Sequence, residues 1–193
     1  MAPRKALVES ELLLVQHRQG DTAALERLIE LWERPLYYYT RRLVNSEEEA
    51  KDLTQDVWVT VVRKIRSVRD PAAFPAWLYT VARNRVVSHF RKAHLFEPLP
   101  EDGAGTEAVE PNGMDIASTL NAEELHWGLS QLSPAHCECL ILHFLEGFSL
   151  EEVGGITGAP IGTVKSRIHY AKKALREILK KEDEGHEQQR SQG

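Results

Sequence analysis

The spacing of apolar residues constrains this chain most: it recurs at helical intervals almost throughout and alternates as a strand would almost nowhere. Leu25, Leu28, Ile29, Trp32, Leu36, Tyr39 and Leu43 make a wide stripe on one helix. A shorter helix from Leu7 to Arg18 precedes it and ends at Gly20, with Asp21 placed to cap the next. Ser46 with Glu49 predicts a capping box, opening a third helix that turns Ala50, Leu53, Val57, Val61 and Ile65 inward. After a turn at Asp70 and Pro71, a fourth helix from about Ala73 to His94 packs Phe74, Trp77, Leu78, Val81 and Phe90. Phe74 and Trp77 read as core rather than as stacking platforms. Four helices with short turns predict one compact unit, spanning 1–94.

The pattern then breaks. From Ala93 to Ala122 there is no Lys or Arg, while acidic residues, prolines and glycines are frequent. Such a stretch buries too little apolar surface to offset its ordering entropy, so 95–120 is expected to be a flexible acidic linker. Helical spacing resumes in a second unit, 121–181. Leu125, Leu129 and Leu132 lie on its first helix. Ser133 is placed to cap the next, with Pro134 at its first position and Cys137, Leu140, Ile141 and Phe144 inward. Gly147 ends that helix. Ser149 with Glu152 predicts a second capping box, and the turn Thr157-Gly158-Ala159-Pro160 leads into a last helix, Ile161 to Lys180. The polar tail 182–193 is expected to be disordered. The fold class is thus all-α, two small helical domains on a linker.

The chain's 193 residues carry a net charge of −5, which excludes indiscriminate coating of nucleic acid. DNA contact has to come from local basic faces. No apolar run is long enough to insert in a membrane, and the N-terminus lacks the cleavage site of a secretory signal. A cytoplasmic location is expected. The two cysteines, Cys137 and Cys139, point to different sides of a helix and are not expected to pair. His136, Cys137, Cys139 and His143 contain metal-binding side chains, yet a structural zinc site needs four converging ligands, so neither metal nor any other cofactor is expected. No catalytic triad, phosphate loop or supported carboxylate pair suggests an enzyme.

The segment from Ser149 to Arg176 carries the clearest functional signal. A short helix, a tight turn and a longer helix with a basic outer face make a helix-turn-helix plan. Val164, Ile168, Ala171, Leu175 and Ile178 are expected inside, with Lys165, Ser166, Arg167, His169, Lys172, Lys173 and Arg176 outside. A helix of this kind fits the major groove, its early polar residues reaching base edges and its cations holding phosphates. The wording SLEEVGGITGAPIGTVKSRIHYAKKALRE resembles the carboxy-terminal DNA-binding domain of the extracytoplasmic-function (ECF) sigma factors. The resemblance implies that Lys165, Ser166, Arg167 and His169 read the −35 promoter element, with Lys172 and Lys173 near phosphates. Gly154, Gly155 and Tyr170 depart from the family pattern, which more often has helix formers at the first two and Arg at the third.

The first unit resembles the same family. AKDLTQDVWVTVVRKI looks like the helix that binds core RNA polymerase, implying that role for Asp52, Gln55 and Asp56. FPAWLYTVARNRVVSHFRK resembles the segment that melts and reads the −10 element. This implies DNA contacts by Arg83, Asn84, Arg85 and Arg91, and base capture by the turn holding Val68 and Arg69. In relatives the linker threads toward the RNA exit path; a plain spacer is the alternative. The resemblance also implies an anti-sigma partner. Two other readings stay open. One is a stand-alone helix-turn-helix regulator whose first unit dimerises or senses. The other is an adaptor that has lost DNA binding.

Overall fold

The computed structural model describes residues 4–44, 46–92 and 122–190, and every regular element among them is helical. The linker expected at 95–120 lies outside the described residues. The first unit comprises α1 (Arg4–Arg18), α2 (Thr22–Leu43), α3 (Glu47–Lys64) and α4 (Phe74–Lys92). Asp21 caps α2 by accepting from the Ala23 and Ala24 amides. Ser46 caps α3 by accepting from the Glu49 amide. Trp32 lies at the centre of this unit, edge-on to Phe74 and Tyr79, with its indole N–H donated to Ser10 at 2.7 Å. The Thr40 and Thr54 hydroxyls, 2.8 Å apart, pin α2 to α3 inside the core.

The second unit comprises α5 (Ala122–Ser130), α6 (Pro134–Leu140), α7 (Leu150–Thr157) and α8 (Ile161–Arg190). At Gly128 α5 approaches α8 so closely that a Cβ there would lie 2.8 Å from Leu175 Cδ1. Ser133 makes no side-chain cap and its buried hydroxyl has no partner, so Pro134 alone marks the start of α6. The capping box of Ser149 and Glu152 forms in both directions. Gly158, at φ 69°, ends α7 in the left-handed region that glycine enters without strain. α8 continues to Arg190, beyond the Lys180 expected. Its last turns are rich in Lys, Glu, Gln and Arg, residue types of high helix propensity.

A π-helical turn over Ile141–Leu145 follows α6, closed by the Glu146 amide on the Ile141 carbonyl at 2.9 Å. The wider turn re-aims Glu146 and Phe148 at the first unit. There Phe148 lies edge-on to Tyr79, with ring centroids 5.0 Å apart. One apolar core therefore runs through both units, with α4 packed on α7, and α2 on α5 and α6.

Candidate nucleic-acid interface

Three surfaces carry the residues singled out by the sequence. On α3, Leu53, Val57 and Val61 are buried, so Asp52, Gln55 and Asp56 stand exposed on the opposite side. Their spacing of three and four residues makes them neighbours on one stripe. The same stripe continues into Val59 and Val62, which are 45% and 48% exposed. Sequence reading missed these two valines, although the spacing alone places them there. The surface is acidic at one end and apolar at the other, which suits a partner with cations beside an apolar ridge.

On α4, Leu78, Tyr79, Ala82 and Val86 face inward. Asn84, Arg85 and Arg91 are exposed, as is Arg69 in the preceding turn. Arg85 reaches across to α3 and donates to the Thr60 hydroxyl at 2.7 Å. Two residues of this set are placed otherwise than expected. Val68 is buried, because the 3-10 turn Ile65–Ser67 at the end of α3 rolls its side chain into the core. The Arg18 guanidinium then bonds the Val68 and Arg69 carbonyls, tying this turn to α1. Val68 thus presents no side chain for base capture. Arg83 is half-buried rather than outward, with its Nε 3.2 Å from the Glu138 carboxylate of the second unit.

On α8, Val164, Ile168, Ala171 and Leu175 are fully buried and Ile178 half-buried. Lys165, Lys173 and Arg176 are exposed, while Arg167 and His169 are half-exposed. Ser166 and Lys172 depart from the expected outer face, at 7% and 8% exposure. Ser166 donates back to the Thr163 carbonyl at 3.0 Å. Lys172 is drawn down over the Phe144 ring, its Nζ 5.4 Å from the centroid, a cation–π contact. Burial, and then nearby Arg176, lower its pKa.

The cysteine–histidine group does not converge. Cys137 Sγ is directed at the Arg42 carbonyl, 3.8 Å away, and His143 Nδ1 lies 2.8 Å from the Phe148 carbonyl. Burial pushes each thiol up to about 12, away from the thiolate that binds metal. Among the described residues no cluster of three or more such side chains could hold an ion. Nor, among them, is any helix long and apolar enough to cross a membrane.

Two family models match the chain in order: Sigma-70 region 2 over residues 28–95 and Sigma-70 region 4 over residues 128–177. The chain is 33% identical over 169 residues to the ECF RNA polymerase sigma factor SigE of Mycolicibacterium smegmatis, covering 84% of this chain and 65% of that protein. It is 33% identical over 174 residues to the ECF RNA polymerase sigma factor SigF of Caulobacter vibrioides, covering 89% and 94%. Among solved structures it resembles the sigma factor RpoE of Bartonella quintana, co-crystallised with the anti-sigma factor NepR. That match has a TM-score of 0.65 and 31% identity, and covers 80% of this chain and 96% of that one.

Proposed function

The chain belongs to the ECF RNA polymerase sigma factors, and from that premise we propose that it binds core RNA polymerase and directs promoter-specific initiation with the residues identified above. Asp52, Gln55 and Asp56, with Val59 and Val62 beyond them, dock α3 on the polymerase. Arg69, Asn84, Arg85 and Arg91, joined by Arg83 when its carboxylate partner withdraws, hold the −10 element. Lys165, Arg167, His169 and Lys173 carry −35 recognition. Ser166 and Lys172 contribute once they swing out of their present contacts.

One observation carries the reading: a helix-turn-helix with exposed cations and a helix with an exposed acidic stripe occur on one chain, in the order of the two family regions. The first supplies phosphate and base contacts, the second a polymerase contact. The chain acts by binding rather than by catalysis, in the cytoplasm where the polymerase works. Likeness to a sigma factor crystallised with its anti-sigma factor supports a partner of that kind here.

Run-off transcription with purified core polymerase and a library of genomic promoters tests the proposal. Transcripts starting at a defined promoter class are expected; none from any promoter, with folded chain and no inhibitor present, refutes it. In the same assay Lys165→Ala with Arg167→Ala is expected to abolish −35 selection while sparing core binding. Equal loss of polymerase affinity in that double variant contradicts the assignment of α8.

A further inference from the structure

Thr60 stands on α3 where the stripe assigned to the polymerase borders the cations assigned to the −10 element. It is half-exposed, with Val57 and Val61 buried beneath it. Its hydroxyl makes two hydrogen bonds of opposite sense. It donates to the Asp56 carbonyl one turn back, at 3.0 Å, and accepts from Arg85 of α4 at 2.7 Å. The first bond explains the second. A threonine in a helix has two open rotamers, and bonding back to the preceding turn selects one of them. With its proton committed to Asp56, the oxygen is left as an acceptor on the side of α4. Arg85 supplies the donor.

What holds an arginine decides what else it can do. Arg83, on the same helix, faces the Glu138 carboxylate, which offsets its charge. Arg85 faces a neutral hydroxyl instead, and among the described residues no carboxylate pairs with it. Its charge is undiminished, and the rest of the guanidinium fork remains open to a phosphate or a base edge. A long side chain gives up rotamer freedom when it grips a nucleic acid, and one already held in place gives up less. A hydroxyl therefore orients this arginine without neutralising it.

We propose that Thr60 is a positioning residue for −10 recognition: its hydroxyl, set by the Asp56 carbonyl, holds the Arg85 guanidinium at the α3–α4 edge in the pose that meets the melted strand. The proposal rests on reading Arg85 as a −10 contact. Thr60 acts through Arg85 alone, so its loss shows in promoter binding and not in docking on the polymerase.

The test uses the full chain assembled with core polymerase, and a promoter fragment identified by run-off transcription whose −10 element is single-stranded on one strand. Thr60→Val keeps the branched shape and removes only the hydroxyl. It is expected to weaken binding of the fragment about three- to tenfold, the effect of leaving one long side chain to be ordered on binding. Core-polymerase affinity and melting temperature are expected to stay at the parent values. Thr60→Ser restores the hydroxyl and is expected to recover most of the lost affinity. In an Arg85→Ala background Thr60→Val is expected to have no further effect, because the two side chains act as one unit. A mere packing role gives the same loss in either background. A Thr60→Val chain that binds the fragment like the parent, a serine variant that recovers nothing, or losses at the two positions that multiply in full overturn the proposal. A matching loss of core-polymerase affinity also overturns it, by moving Thr60 into the docking surface. If Arg85→Ala alone leaves binding untouched, the reading of Arg85 as a DNA contact fails, and Thr60 has nothing to position.

Discussion

At the residue scale, arginines of similar sequence context are sorted by what lies opposite them. Arg83 and Arg85 are two positions apart on α4. Arg83 meets Glu138 across the unit boundary, whereas Arg85 stays exposed and is steadied by Thr60 within its own unit. The exposed carboxylates of α3 behave differently, because their helix turns them to solvent whatever the second unit does. Asp52→Arg replaces an anion with a cation on that stripe, leaving the core beneath untouched. It is expected to weaken core polymerase binding at least tenfold, about 1.4 kcal/mol, without changing duplex binding by α8. Surface-immobilised polymerase titrated with the variant measures this, and undiminished binding removes α3 from the interface. Asp52, Gln55 and Asp56 were legible in the sequence because their exposure depends only on the wheel of their own helix. Val68, Ser166 and Lys172 were not, because their burial depends on a 3-10 turn, a bond back to Thr163 and the Phe144 ring.

At the element scale, α7 shows how the sequence sets helix limits and where it leaves slack. Its capping box and the left-handed Gly158 bound eight residues, and both ends were readable from Ser149, Glu152 and the glycine turn. Inside it stand Gly154 and Gly155, each unfavourable in a helix by roughly 1 kcal/mol against Ala. Their surroundings differ. A Cβ at Gly155 meets nothing within 4 Å, whereas one at Gly154 lies 3.0 Å from the Ala159 carbonyl of the tight turn. Gly155→Ala is therefore expected to stabilise the second unit by about 0.5–1 kcal/mol, raising its melting temperature by roughly 2–8 °C. Gly154→Ala is expected to give no such gain, its propensity benefit offset by displacement of the turn. Calorimetry on the two single variants decides, and equal gains at both positions refute the argument from the turn. The π turn at Ile141–Leu145 had no such signature, since an apolar run with a period near four does not distinguish α from π winding.

At the scale of the whole molecule, contacts between residues far apart in sequence decide behaviour, and these were not legible from local patterns. Tyr39 and Glu138 are 99 positions apart, and neither helix wheel announces the other. Groups at this boundary titrate with opposite signs. Burial raises the pKa of Glu138, opposed by Arg83 and Tyr39 and by Arg167 on α8; burial likewise raises Glu146, opposed by Tyr79 and Arg42. A carboxyl with a raised pKa binds its proton more readily when the two units are packed together. Its contribution to that packing is thus full below the ordinary value of 4.5 and is lost as pH climbs through the raised one. His126 on α5 runs the other way. Its pKa is lowered by burial and then by Arg41 and Arg42 of α2, so its contribution holds above 6.5 and is lost as pH falls. Scattering as a function of pH is therefore expected to show two limbs, one as pH rises above 4.5 and one as it falls below 6.5. His126→Asn removes the acid limb, leaving a chain most compact at the low end. Glu138→Gln with Glu146→Gln removes both titrating carboxyls and with them the alkaline limb, while giving up the ion pairs with Arg83 and Arg42. A His126→Asn chain that instead tightens as pH rises shows attraction to the arginines outweighing burial, contrary to the sign argued here.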